Sequence, residues 1–251
     1  MDDINSFFIP ENKVDAVPES YYGQKEVILN TLMSINRLTH KSIYIIDLYR
    51  KNFLYVSKNP IFLCGYNPDE VQEMGYNFYF KIVPKDDMGL LLKINRVGFQ
   101  FFDQTPIEDR MGISASFDYH IMNKGKLLLV NQKITPIMLA KNGRIWLAAC
   151  VVSLSDHHDA GNLEIHFEGK SDFLSYSMGK EKWQRNSGYR LKEREREILR
   201  LYPQGLTEAE IAEKLCIDKN TVKYHKRSLF EKLGVKSIST ALSVAYENKL
   251  I

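Results

Sequence analysis

The stretch LKEREREILRLYPQGLTEAEIAEKLCIDKNTVKYHKRSLFEKLGV, residues 191–235, divides into helices by its own punctuation. Leu191 to Tyr202 is charged and amphipathic, with Leu191, Ile198, Leu199 and Leu201 at apolar positions, and Pro203-Gln204-Gly205 stops it. Thr207-Glu208-Ala209-Glu210 has the form of a capping box, whose hydroxyl and carboxylate take up first-turn amides, and it opens a helix from Glu208 to Leu215. Asp218 caps Lys219 to Leu233, and Gly234 ends that helix, because glycine enters the left-handed conformation without a Cβ clash. Ser237 or Ser239 then starts a last helix through Glu247, with Ile238, Ala241, Leu242 and Ala245 facing inward. The four helices make a small all-α unit.

A short helix, a turn of about three residues and a basic helix have the layout of a helix-turn-helix, whose second helix enters the DNA major groove. At about 100° per residue, Val222, Leu229 and Leu233 fall on one side of that second helix with His225 at the margin. Asn220, Lys223, Tyr224, Arg227 and Glu231 project from the other. The segment Lys219–Lys236 carries six basic side chains against the single acid Glu231.

That local charge is diluted in the whole chain of 251 residues, which has a formal net charge of +3. Residues 189–251 carry 13 Lys/Arg and 9 Asp/Glu, a balance of +4, whereas the preceding 188 residues balance at −1. With 44% apolar residues the chain has material for two cores of ordinary size, which excludes intrinsic disorder. Its longest apolar run, Ile145 to Val152, has eight residues against the roughly 20 of a membrane-spanning helix. The start, Met1-Asp2-Asp3, is acidic where a secretory signal is basic, so a cytoplasmic protein away from membranes is expected. Cys64, Cys150 and Cys216, an odd number at wide spacing, point to buried thiols rather than disulfides or a zinc module.

The first three quarters of the chain have a different texture. Residues 18–40 read as a helix, with Ile28, Leu32, Ile35 and Leu38 at helical spacing. IYIIDL and FLYVS form a hairpin; short helices follow, interrupted by Pro60, Gly65, Pro68 and Gly75; Asp86 caps a longer helix ending near Phe102. Three strands come next, at 114–122, 126–139 and 144–154. In the first, Ala115, Phe117, Tyr119 and Ile121 alternate with Ser116, Asp118 and His120, which places the polar set toward solvent. A further hairpin, LEIHF then DFLSYSM, precedes a polar stretch, Gly179 to Gly188, read as the linker. The order predicts an α+β domain with a five-stranded antiparallel sheet and helices. Together with NPIFLCGYNPDEVQEMGYNFYFKIVPKDDMGLLLKI, and in particular Gly65-Tyr66-Asn67-Pro68-Asp69-Glu70 before Pro84-Lys85-Asp86, it resembles the PAS family over residues 42–154. The expected organisation is an N-terminal helical segment at 1–41, a PAS-like sensory and dimerisation domain with an extra hairpin at 42–178, a linker at 179–189 and the helix-turn-helix unit at 190–251.

Residues 191–235 closely resemble the LuxR/FixJ type of DNA-binding domain. They match its Leu-x-x-Arg-Glu start, Gly-Leu-x-x-x-x-Ile-Ala, Thr-Val-Lys-x-His and Lys-Leu-Gly-Val elements at Leu191, Gly205, Thr221 and Lys232 respectively. The resemblance implies base-reading roles for Lys223, Tyr224 and Arg227. Lys and Arg donate to guanine O6 and N7, and tyrosine offers an apolar or phosphate contact. Lys219, Asn220 and Thr221, at a helix N-terminus, suit phosphate, and Lys226 either reaches phosphate or lays its stem along the core. His225 is a packing residue in this reading, and Glu193, Arg194, Glu195 and Arg196 form a solvated face.

The function implied is a DNA-binding transcription regulator, homodimeric so that two helices read two half-sites, and controlled by the PAS-like domain. A PAS domain holds haem, flavin, a metabolite or nothing, and the cofactor here stays open. The longer helix has no histidine to ligate haem, and Phe-Leu-Cys64-Gly-Tyr departs from the flavin photosensor motif. Asp156-His157-His158-Asp159 is too compact to converge on one ion, so no metal is expected. The aromatics Phe78, Tyr79, Phe80, Phe99, Phe101 and Phe102 pack a core or line an apolar pocket. A quorum-sensing-type receptor for an acyl-homoserine lactone has the right length but calls for a tryptophan-rich signature, and a phosphorylated response regulator calls for a different element order. No Ser-His-Asp order, phosphate loop or HExxH points to an enzyme.

Overall fold

The computed structural model describes residues 3–248, 250 and 251, which divide into two compact units, one ending at Asn186 and the other running from Ser187.

In the first unit the chain starts with 3-10 turns, at Ile4–Phe7, Pro10–Asn12 and Glu19–Gln24, that lead into helix α1, Lys25–Asn36. The helix expected over 18–40 is thus shorter and begins as a 3-10 turn. Strands β1, Ser42–Asp47, and β2, Asn52–Val56, form the first hairpin. Its turn is fixed by the buried Asp47 carboxylate, which accepts the amides of Tyr49 and Arg50, both at 3.0 Å, and the Tyr22 hydroxyl at 2.6 Å. Three short helices, α2 Pro60–Leu63, α3 Pro68–Met74 and α4 Asn77–Ile82, precede the 20-residue α5, Lys85–Gln104. Pro84, not Asp86, occupies the N-cap of α5, and Asp86 lies in its first turn where a carboxylate complements the helix dipole. Leu91, Ile94 and Phe102 are the fully buried side of α5.

The remaining strands are β3 Ile113–Asn123, β4 Lys126–Leu139, β5 Ile145–Leu154, β6 Gly161–Phe167, β7 Phe173–Ser177 and β8 Lys182–Asn186. Among the described residues they complete one antiparallel sheet in the order β2-β1-β5-β4-β3-β6-β7-β8. The sheet therefore has eight strands, not five. β6 takes the edge of β3 that a five-stranded sheet leaves open, and the β7–β8 hairpin continues outward from it. β8 falls within the polar stretch read as a linker because it is an edge strand whose charged side chains, Lys182 and Arg185, stay exposed. Its inward residue, Trp183, packs against Phe101 of α5 at 5.0 Å between ring centroids. β4 accommodates Pro136 where its pairing with β5 becomes irregular, as a residue without an N–H requires.

The alternation in β3 does not separate core from solvent. Ser116 and Asp118 are buried, and His120 is fastened to the Asp87 carboxylate by its own amide at 2.7 Å and its Nδ1 at 2.8 Å. Cys64 and Cys150 are buried as expected, but Cys216 is exposed in the second unit, where φ is +52°.

The second unit consists of α6 Glu193–Leu201, α7 Glu208–Lys214, α8 Lys219–Leu233 and α9 Ile238–Glu247. Ile198, Leu201, Ile211, Ala212 and Val222 form one apolar cluster; Leu191, Leu199, Leu229, Leu233, Ala241 and Ala245 form the other. Among the described residues no helix is long and apolar enough to cross a membrane.

Candidate nucleic-acid interface

In the second unit α8 carries an exposed basic face, and local capping sets both its ends. The Asp218 carboxylate accepts the Asn220 amide at 2.7 Å, and Gly234 closes the helix in the left-handed region at φ +67°. The preceding helix is started by the capping box: the Thr207 amide donates to Glu210 at 2.7 Å and the Glu210 amide to the Thr207 hydroxyl at 3.4 Å. The Thr207 amide, and the Thr207 hydroxyl that donates to the same carboxylate at 2.7 Å, hold the Glu210 carboxyl below its ordinary value. The turn between α7 and α8 closes through the Ile217 amide, which donates to the Ala212 carbonyl at 2.9 Å.

Val222, Leu229 and Leu233 turn inward, so Lys219, Asn220, Lys223, Tyr224 and Arg227 are exposed along one side of α8. Tyr224 is 66% exposed, a large aromatic surface touched edge-on by the His225 ring at 5.5 Å between centroids. Arg227 reaches Glu231 one turn on, at 3.0 Å, with both side chains in water, so the pair is weak and readily exchanged. Thr221 is half-buried, and because Asp218 already occupies the Asn220 amide, a phosphate there meets one fewer free donor. Lys226 is engaged by its own protein: its ammonium lies 2.6 Å from Glu208 and 5.9 Å from the Phe230 ring. That contact, opposed by partial burial, raises the Lys226 pKa and lowers that of Glu208. His225 is half-buried, and its Nδ1 has no hydrogen-bond partner among the described residues.

What holds α8 in place from behind is a carboxylate that the sequence reading assigned to a solvated face. Glu195 is 1% exposed. It accepts from Lys232 Nζ at 2.9 and 2.7 Å, from the Ser228 hydroxyl at 2.9 Å and from the Lys192 amide at 2.7 Å. Burial pushes its carboxyl pKa up, but Lys232, the Lys192 amide and Ser228 together bring it below the ordinary value. The signal was present in the spacing: Glu195 stands three and four residues before Ile198 and Leu199, the buried side of α6. By contrast, Arg194 pairs with Glu197 at 2.8 Å and Arg196 with Glu193 at 3.4 Å on the outer side.

The first unit contains a cavity of about 90 Å³ between α5 and the inner face of the sheet. Tyr79, Phe99, Phe101 and Phe102 line it, whereas Phe78 packs edge-on against Phe62. Neither a charged side chain nor a histidine or cysteine is among its lining residues. Beneath it lies a neutral hydrogen-bonded group: Tyr44 and Tyr79 share a bond of 2.7 Å, and Tyr119 donates to Gln132 at 2.8 Å. Burial drives all three tyrosines well above their ordinary pKa, so they stay protonated. The Cys64 thiol is likewise pushed up to about 12 by burial, which keeps it protonated near neutrality. Of Asp156, His157, His158 and Asp159, His157 meets the buried Asp118 through its Nδ1 at 2.6 Å. No group of three or more metal-ligating side chains occurs among the described residues.

Comparison with known proteins bears on the second unit. The "Probable transcriptional regulatory protein SgaR" of Hyphomicrobium methylovorum is 43% identical over 51 residues, 20% of this chain and 24% of that protein. The "CsgBAC operon transcriptional regulatory protein" of Escherichia coli (strain K12) is 36% identical over 86 residues, 34% of this chain and 40% of that protein. The chain thus spans less than half the length of these curated relatives. Among solved structures, "VqmA bound to DPO" is 16% identical, with 87% of this chain and 86% of that one aligned at a TM-score of 0.34. Residues 190–245 match the family described as "Bacterial regulatory proteins, luxR family", and the C-terminal unit is a LuxR-family GerE helix-turn-helix domain.

Proposed function

We propose that this chain is a DNA-binding transcription regulator that reads the major groove with α8. The observation that carries the reading is the exposed row Lys223, Tyr224 and Arg227 on a helix anchored from behind by Glu195 and capped by Asp218. Lys223 and Arg227 donate to base edges, Tyr224 supplies an apolar or phosphate contact, and Lys219, Asn220 and Thr221 meet the backbone. Lys226 contributes to phosphate binding only after leaving Glu208; otherwise it helps to orient α8. Binding rather than catalysis is the chain's activity, and the cytoplasm is where it meets DNA. Lys223→Ala and Arg227→Ala are each expected to cost about 1–3 kcal/mol of specific binding in a gel shift, and affinity is expected to fall steeply with salt. Unchanged affinity in both variants sinks the base-reading roles, and a flat salt titration sinks DNA as the partner.

The first unit acts in this reading as a PAS-like sensory and dimerising domain. Its central strands β2-β1-β5-β4-β3 with α5 beside them, and the uncharged cavity between, support control by a small molecule. The same cavity favours a quorum-sensing-type receptor as the second reading. Homodimerisation is supported by α1, which buries no residue fully and leaves Val27, Ile35 and the following Leu38 exposed at 69%, 48% and 88%. α9 is the other candidate interface. Ile35→Glu is expected to convert the full-length dimer to monomer in sedimentation; a monomeric wild type, or a dimer unaffected by the change, rejects α1 as the interface.

A further inference from the structure

The segment from Asp3 to Gln24 crosses the first unit as a strap of 3-10 turns and, among the described residues, joins no strand of the sheet. It inserts one side chain, Phe7, into the wall of the cavity. The ring is 4% exposed and lies 5.4 Å from Tyr76, 5.3 Å from Tyr79 and 5.7 Å from Phe80, centroid to centroid. The strap's far end is anchored by Tyr22 on Asp47 at 2.6 Å and by Glu19 on Arg50 at 3.2 Å, whereas nearer Phe7 the hold is looser: Asn12 within the strap donates to the Phe7 carbonyl at 2.8 Å, and three contacts reach it from the rest of the unit. Asn95 of α5 donates to the Phe7 carbonyl at 2.9 Å, Arg144 donates to the Lys13 carbonyl at 2.8 Å, and Gln100 reaches Glu11 at 3.4 Å.

The cavity that remains beside Phe7, about 90 Å³, exceeds several water molecules yet falls short of the roughly 150 Å³ that accommodates a benzene ring in an apolar protein interior. A phenyl ring withdrawn from this wall supplies the missing volume. The polar chemistry around that volume is equally specific. Gln132 is 4% exposed and lines the cavity; its Oε1 accepts from Tyr119, while among the described residues its Nε2 meets the Cys150 sulfur, at 3.8 Å, as its acceptor. A buried amide donor with so weak an acceptor is a place where a ligand oxygen or nitrogen gains a hydrogen bond. With no charged lining residue, an ionised ligand loses its hydration without compensation.

From these observations we propose that Phe7 is a built-in plug occupying a ligand site, and that a small uncharged ring compound bearing one hydrogen-bond acceptor displaces it. The strap is the gate, the cavity beneath it the site, and Gln132 the donor that orients the incoming ring. The proposal rests on the sensory reading of the first unit and adds the regulation of its site.

The test is calorimetric titration of the full chain with acetophenone, a neutral ring with one carbonyl acceptor, beside benzoate as its charged counterpart. Phe7→Ala is expected to bind acetophenone at least tenfold more tightly than wild type, Phe7→Trp to abolish binding, and none of the proteins to bind benzoate. Arg144→Ala, which removes a tether of the strap outside the cavity lining while leaving Phe7 in place, is expected to tighten acetophenone severalfold. It carries the test if Trp146 fluorescence shows that Phe7→Ala does not fold. Equal affinity in wild type and the variants, or no binding of acetophenone to a folded Phe7→Ala protein, overturns the plug. A gel shift run with and without acetophenone separates the two ideas: tighter ligand binding in Phe7→Ala with DNA affinity unmoved retains the plug and rejects sensory coupling.

Discussion

Glu195 in the helical unit and Asp118 in the sheet unit are both shut away from water, at 1% and 0% exposure, but their surroundings differ in kind. Glu195 faces a lysine ammonium, a serine hydroxyl and a backbone amide, and through them it joins α6 to α8. Asp118 faces Asn131 at 2.9 Å, Asn162 at 2.9 Å and His157 at 2.6 Å, and through them it pins the β5–β6 loop to the middle of β3. The first carboxylate fixes the angle between two elements that the short loops leave free, so the exposed row on α8 has a defined orientation. The second secures a loop on a sheet whose register is already determined by nine paired positions between β3 and β4. Losing Glu195 therefore loosens a helix, whereas losing Asp118 loosens a loop.

Glu195→Ala is the sharper way to break this contrast. Removing one partner of a fully buried pair costs about 3–5 kcal/mol because the other charge is orphaned. Lys232 is 30% exposed and can turn toward water, so about 2–3 kcal/mol is expected here. Amide exchange along α8 should accelerate by a factor on the order of 100, since about 1.4 kcal/mol corresponds to tenfold. Tryptophan fluorescence should stay constant, because Trp146 and Trp183 both belong to the first unit. Protection of α8 equal to wild type means that the apolar cluster of Leu199, Leu229 and Leu233 alone sets the helix angle.

The same contrast explains what could be read in the sequence. The helical unit is assembled from local signals, and Thr207, Asp218, Ser237 and Gly234 occupy the cap positions that their side chains and backbone preferences demand. The inward and outward residues of α8 followed from helical geometry alone. Glu195 was misplaced because a glutamate among Arg194, Arg196 and Glu197 reads as solvated unless its position on the apolar stripe outweighs its charge. The sheet unit depends on pairings between residues far apart in the chain. Lys182–Asn186 is a strand because β7 is beside it and Trp183 finds Phe101, neither of which is visible in the pattern KWQRN. Likewise Asp118 alternates like a solvent-facing residue, and only the arrival of His157 from the β5–β6 loop and of Asn162 from the start of β6 makes its burial tolerable. An aromatic-lined pocket could be raised from the sequence, but the proposed pairing of Phe7 with Gln132 across it could not, since the two are 125 positions apart.

A smaller effect distinguishes the two carboxylates by pH. Burial raises the Asp118 pKa, but hydrogen bonds from His157, Asn131 and Asn162 outweigh it and leave the carboxyl below the ordinary aspartate value. A depressed folded-state pKa contributes stability that is present above the unfolded value, about pH 4, and is lost as pH falls through the folded one. Asp118→Asn removes that dependence while keeping the shape of the side chain, although its amide no longer accepts on both sides. The variant should be about 1–2 kcal/mol less stable than wild type near neutrality, judged by Trp146 fluorescence in urea, and the two should converge in acid. Ser116 and Asn131 remain to satisfy each other, at 3.0 and 3.3 Å, which limits the damage to the loop side of the network. Because fluorescence follows the first unit alone, Glu195 does not contribute to this acid limb, and a difference between variant and wild type that persists undiminished below pH 3 means that packing, not charge, is what Asp118 supplies.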